Sequence, residues 1–92
     1  MRFSEALELC MAGKKIRNMN WNGKTTAYIY YVKPHKVPTE KWVPKDLSAT
    51  ETERGYVQVR GHFDMLTATG ERLIGWQASK MDMQSEAWEV VE

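Results

Sequence analysis

Apolar and polar side chains alternate from Tyr56 to Leu66. Val57, Val59, Phe63 and Met65 fall on one parity, and Gln58, Arg60, His62 and Asp64 fall on the other. A period of two predicts a half-buried strand, with Arg60, His62 and Asp64 sharing its polar face. Ala68-Thr69-Gly70-Glu71 supplies turn chemistry, so a second strand from Leu73 to Trp76 is expected to return beside the first. Ser79 then stands where an N-cap would, with Asp82 three residues on as a shortened capping box. Met81, Met83 and Ala87 give weak helical spacing across 79–87. Trp88-Glu89-Val90-Val91-Glu92 alternates again as a closing strand, with Trp88, Val90 and Val91 tucked inward.

The first half reads differently. Phe3, Ala6, Leu7, Cys10 and Met11 keep an i, i+3, i+4 spacing, which predicts an amphipathic helix over 4–12 with Ser4 as N-cap and Gly13 just past its end. Lys14-Lys15-Ile16-Arg17 reads as a basic edge strand leading to Trp21 and the turn dipeptide Asn22-Gly23. Residues 27–33 form a buried strand in which Tyr28 and Tyr30 share one face and Ile29 and Tyr31 the other. Both faces are apolar or aromatic, so both need cover, and in so small a chain a second copy is one source of it. Residues 34–55 are the loosest part. Pro34, Pro38 and Pro44 forbid a continuous helix or strand, Trp42-Val43 is an apolar island, and Lys45 to Ser48 has the makings of one helical turn. The expected fold is α+β in a single domain, 1–92. An N-terminal helix packs on a small, mostly antiparallel sheet, and a short second helix precedes a C-terminal strand.

Composition narrows the class. A 92-residue chain hides only roughly 60–65% of its unfolded surface, so self-association is a natural supplement to its core. No apolar run reaches the length of a membrane span, and residues 1–20 lack a signal-peptide block. Cys10 is the only cysteine, which excludes a disulfide framework and suits a reducing cytoplasm; on its helical stripe it reads as a small core residue. A formal net charge of +1 argues against a general nucleic-acid binder. The charge is polarised all the same: residues 1–45 carry nine Lys/Arg and three acids, and residues 46–92 carry four and nine. Such polarity suits a small anion or the meeting of unlike halves of two subunits, and equally two solvated faces.

The search for chemistry returns binding groups rather than a reaction centre. There is no Gly-rich phosphate loop and no GxSxG elbow, and His35 and His62 are too scattered to suggest a metal site. His62 with Asp64 could act as a general-base pair, or serve as surface or seam residues. Trp21, with Arg17 before it and Lys24 after it, offers an indole face and cations for a purine and its phosphates. The same Trp21 fits a plug for the end of a small sheet. Residue spacing alone stops at a small α+β binding domain.

A wider likeness goes further. The stretches HFDMLTATG (62–70), GWQASKMDM (75–83) and AWEV (87–90), with the opening FSEAL, GKKIR and WNG, resemble a small domain family of phages and prophages. Its members include the second type of Thoeris anti-defence protein. The similarity runs nearly end to end, and only 34–55 matches poorly. It implies a sponge: a protein that binds the cyclic ADP-ribose isomers made by bacterial TIR-domain sensors, without cleaving them, in the host bacterial cytoplasm. It also implies homo-oligomers built as dimers of dimers with pockets at subunit seams, and in some members a separate site for cyclic dinucleotides. No cofactor is implied.

On that reading Trp21 or Trp76 stacks the adenine, and Arg17 and Lys24 meet phosphate. Asn22, Ser79 and Asp82 read hydroxyls or exocyclic amines, and Tyr28, Tyr30, His62 and Asp64 complete the expected ligand surface. Two alternatives stay open. One is an enzyme that cleaves the same nucleotides with His62 and Asp64 as acid and base. The other is a structural or regulatory oligomer whose polar sheet face meets another protein.

Overall fold

The computed structural model describes residues 1–21 and 26–91. Helix α1 (Phe3–Met11) starts one residue before the expected helix, because Arg2 rather than Ser4 is the N-cap. The Arg2 N–H is satisfied by Glu5 Oε1, at 3.3 Å. Gly13 ends the helix as expected, with φ +106°, and the chain turns there as Lys14 N–H donates to the Leu9 carbonyl. Ala6 and Cys10 are buried and Phe3 and Leu7 half-buried, but Met11 lies on the solvent side.

Five strands form the main antiparallel sheet, in the order β6-β5-β2-β1-β7: β1 (Lys15–Asn18), β2 (Tyr28–Val32), β5 (His62–Leu66), β6 (Arg72–Leu73) and β7 (Trp88–Val91). The basic segment is therefore not an edge strand. The C-terminal strand pairs along its full length, from Lys15↔Val91 to Asn18↔Trp88, and moves β1 into the interior. Ile16 faces Ile29 and Ile29 faces Met65, so these residues share the inner face under α1. Ala6, Cys10, Ile16, Ile29 and Trp88 form the buried core, with Phe3, Trp21, Tyr31, Phe63, Met65, Trp76 and Val90 packed around it. Val91 takes the opposite face from Trp88 and Val90, as alternation requires. Lys15, Arg17, Tyr28, Tyr30, Val32, His62, Asp64, Leu66 and Arg72 lie on the outer face, on which no helix packs among the described residues.

The alternating run 56–66 is two strands. β4 (Tyr56–Val59) pairs with β3 (His35–Pro38) in a separate ribbon, and the chain crosses at Arg60-Gly61 into β5. Arg60 is exposed in that crossing, outside the strand that carries His62 and Asp64. Gly61 is required there: a Cβ would lie 2.2 Å from Tyr31 Oη and 2.9 Å from Tyr31 Cζ.

The segment 34–55 is more ordered than its prolines suggest. It holds β3, a 3-10 turn (Thr39–Lys41) and α2 (Ala49–Arg54). The helical turn falls at 49–54 rather than 45–48, because Ser48 caps it: Ser48 Oγ accepts from Glu51 N–H at 3.2 Å, and Glu51 Oε1 accepts from Ser48 N–H at 3.0 Å. Trp42 is half-buried and Val43 is exposed. Lys36 and Arg54 each lie over the Tyr56 ring, at 4.5 and 4.6 Å from its centre. Among the described residues this ribbon pairs only with itself, and the molecule is long, 46 × 26 × 25 Å, with a radius of gyration of 15.9 Å. A compact domain of this length would give about 12 Å.

The return strand is shorter than expected. β6 holds only Arg72 and Leu73, paired with Leu66 and Met65, before Gly75 turns at φ +78°. Gly70 takes the positive φ foreseen for the turn, at +89°. α3 (Lys80–Gln84) is capped as the sequence indicates, but Met81 and Met83 point to solvent instead of forming a buried face. No helix among the described residues is long and apolar enough to cross a membrane.

Candidate ligand-binding site

Asn18 starts the construction. It is an inward-facing polar residue at the end of β1, 2% exposed, so its side chain must be satisfied locally. Its Oδ1 accepts from Asn20 N–H at 3.0 Å and from the Ser85 hydroxyl at 3.3 Å, while its carbonyl accepts from Trp21 N–H at 3.1 Å. Met19 N–H donates to the Ala87 carbonyl at 2.9 Å. These bonds bend the chain after β1 and fix the turn 18–21 against the segment that enters β7.

Trp21 is thereby set in a cluster of indoles. Its ring meets Trp88 edge-on at 5.3 Å between centres and Trp76 at 6.2 Å, and Trp76 and Trp88 are also 6.2 Å apart. Asp82 ties the cluster to α3. Its Oδ1 accepts from the Trp21 indole N–H at 2.8 Å, its Oδ2 from Ser79 N–H at 3.0 Å, and its carbonyl from the Trp88 indole N–H at 2.8 Å. Ser79 Oγ in turn accepts from Asp82 N–H at 3.1 Å. The capping pair therefore also positions a tryptophan.

Two concavities flank Trp21. One, of about 330 Å³, is lined by Asn18, Asn20, Trp21, Ser79, Met81 and Asp82. The other, of about 280 Å³, is lined by Trp21, Ala27, Met65, Thr67, Ala68 and Trp76. Small-ligand sites usually begin at about 300 Å³, so each half suits one ring system and its substituents. Asn18, Asn20, Ser79 and Asp82 border the first and mostly apolar residues the second, the exposed lining of both is mainly apolar, and Trp21 belongs to each.

The residues singled out from sequence thus divide into three groups. Trp21, Trp76, Ser79 and Asp82 come together. Asn22 and Lys24 lie outside the described residues. Arg17, Tyr28, Tyr30, His62 and Asp64 belong to the outer face instead. Arg17 is engaged there with Glu89, Nε to Oε1 at 2.6 Å. Asp64 is not on an exposed polar surface: it is 3% exposed, and its Oδ1 accepts from Gly75 N–H at 3.0 Å and lies 2.7 Å from His62 Nδ1. That bond fastens the turn before Trp76 to the sheet. Asn18 and Asn20 escaped sequence reasoning, although an Asn on the parity of Ile16 was a usable signal.

The family model for the Thoeris anti-defense 2-like domain matches residues 1–91. The chain belongs to that family. Membership assigns it to phage anti-defence and bears out the likeness read from its motifs. No curated protein matches it. Among the described residues of this Thoeris anti-defense 2-like domain, no group of three or more His, Cys, Asp or Glu side chains is placed to hold a metal ion.

Proposed function

We propose that this Thoeris anti-defense 2-like domain sequesters TIR-derived cyclic ADP-ribose signals without cleaving them, and so keeps them from their effector in the host bacterial cytoplasm. The observation that carries the reading is Trp21, which lines two concavities, one bordered by Asn18, Asn20, Ser79 and Asp82 and the other by Met65 and Trp76. An ADP-ribose isomer has an adenine face to stack and ribose hydroxyls to bond. Trp21 and Trp76 offer indole surface to the base. Asn18, Asn20, Ser79 and Asp82 offer donors and acceptors to hydroxyls and exocyclic amines. The His62–Asp64 pair, the arrangement nearest to a general base, lies on the other face of the sheet, which favours holding over cleaving.

Self-association belongs to the same reading. Tyr28, Tyr30, Val32 and Leu66 are half-buried on the outer face, and a second copy laid there would remove them from water. A homotetramer built as a dimer of dimers would supply the buried seams that tight binding requires. Nanomolar affinity corresponds to roughly −12 kcal/mol, more readily reached by a preformed pocket than by an open surface.

Calorimetric titration with a panel of cyclic ADP-ribose isomers, followed by heat denaturation and chromatography of the released ligand, tests the proposal. Tight binding with the ligand recovered intact is the expected result. Recovery of a linear product would replace the sponge with an enzyme, and no binding to any isomer would reject both.

A further inference from the structure

The ladder between β5 and β6 sets Leu66 opposite Arg72 and Met65 opposite Leu73. Directly opposed residues share a face, so Arg72 lies outward with Leu66 and Leu73 inward with Met65. Carried further, that register would put Gly75 opposite Phe63 and Trp76 opposite His62, turning the indole outward. The chain departs from it by one residue. Trp76 N–H donates to the Phe63 carbonyl at 2.7 Å, and its indole packs on Trp88, 6.2 Å between ring centres. A slip of one residue moves a side chain to the other face of a sheet, and here it delivers Trp76 to the candidate site.

Gly75 absorbs the extra residue, at a φ of +78° that side chains rarely adopt. Its N–H donates to a side chain instead of to the ladder. Asp64, the residue next to Phe63, accepts it through Oδ1 at 3.0 Å. Asp64 is 3% exposed, and His62 Nδ1 lies 2.7 Å from the same oxygen, which restrains the carboxylate.

We propose that Asp64 is a positioning residue for the ligand site: it holds the one-residue slip at Gly75 that turns Trp76 inward. The role rests on the nucleotide reading of the Trp21 and Trp76 site, and it gives a side chain of the outer face a part in binding through Gly75 and Trp76. What it requires at position 64 is an acceptor oxygen. It requires no access from solvent, so a second copy laid over Tyr28 and Tyr30 leaves it intact.

Two readouts test it together: nuclear Overhauser contacts between the Trp76 and Trp88 rings in ligand-free protein, and calorimetric affinity for the cyclic ADP-ribose isomers. Asp64→Ala should lose the contacts and weaken binding by about tenfold or more, the worth of a stacked base. Asp64→Asn keeps an oxygen for the Gly75 N–H, and its amide N–H can face His62 Nδ1 in the other tautomer. The ring contacts should persist in it, with affinity within about threefold of wild type. Retention of either the contacts or the affinity in Asp64→Ala would overturn the proposal, as would loss of either in Asp64→Asn. If Asp64→Ala unfolds, Asp64→Asn carries the test on the same terms. No binding by the wild type would reject the nucleotide reading instead, and the ring contacts would still decide whether Asp64 places Trp76.

Discussion

The Trp21 indole N–H donates to Asp82 Oδ1 at 2.8 Å, joining two side chains that lie 61 positions apart. The same carboxylate closes the cap of α3 through Ser79. One side chain therefore holds both a helix end and the wall of the candidate site, so position 82 serves stability and binding together.

Asp82→Ala should cost about 1–3 kcal/mol, since it removes the acceptor for two N–H donors at once. The informative readout is the Trp21 indole N–H resonance, which should lose its protection from solvent exchange. Asp82→Asn keeps one acceptor oxygen and should restore part of both effects. An indole proton as protected in Asp82→Ala as in the wild type would show that Trp21 is fixed by ring packing alone.

Ligand affinity separates two roles of Trp21. Under the proposed function, Trp21→Ala should weaken cyclic ADP-ribose binding by about 1–3 kcal/mol, the usual worth of a stacked base. Trp21→Phe keeps a ring while losing the bond to Asp82, and should fall between alanine and wild type in calorimetry. Unchanged affinity in both variants, with a lower melting temperature, would assign Trp21 to the core.

Gly61→Ala should destabilise the fold by about 1–3 kcal/mol, because its Cβ would enter the space of the Tyr31 hydroxyl. Tyr31→Phe removes the atom of closest approach and leaves Cζ at 2.9 Å, so it should recover only part of the loss. A double-mutant cycle in denaturant should show this as a coupling between the two positions. Strict additivity would mean that the chain relieves the clash by shifting its backbone.

Cys10 is buried, and burial pushes its thiol up to about 11 from an ordinary value of about 9. Thiol reagents at pH 8 should therefore leave the folded protein unmodified and react fully once denaturant is added. The sign of the pH effect follows. Between about 9 and about 11 the unfolded chain has released this proton and the folded chain still holds it. The contribution is complete below about 9 and is lost as pH rises to about 11. Wild type should lose more stability over that window than Cys10→Ala, and parallel curves would remove the thiol from the account.

Short-range regularities made much of this protein legible before its structure. The spacing of Phe3, Ala6 and Cys10, the doubly apolar strand at 28–32, the Gly70 turn and the Ser79–Asp82 cap each depend on neighbours within a few residues, and each is found where expected. The motifs also carried the family, because several of them occur together in order. What misled was pattern without partner. Residues 56–66 keep one alternating parity across Gly61, yet β4 and β5 join different sheets, since parity records a face and not the strand that pairs beside it. Lys14 to Arg17 looked like an edge until the C-terminal strand, about 70 residues away, paired with β1. Asp64 looked exposed until the Gly75 turn closed over it.

The candidate site divides along the same line. The sequence by itself put Trp21, Trp76, Ser79 and Asp82 among eleven candidates without setting them apart, and determined that Ser79 and Asp82 would cap a helix. Only the tertiary structure decided that these four meet around one wall, while Arg17, Tyr28 and Tyr30 turn to the far side of the sheet. The reason is geometric: caps and periodicities are set by bonds three or four residues long, whereas a strand's pairing and outward face are fixed by whichever distant segment buries its apolar side.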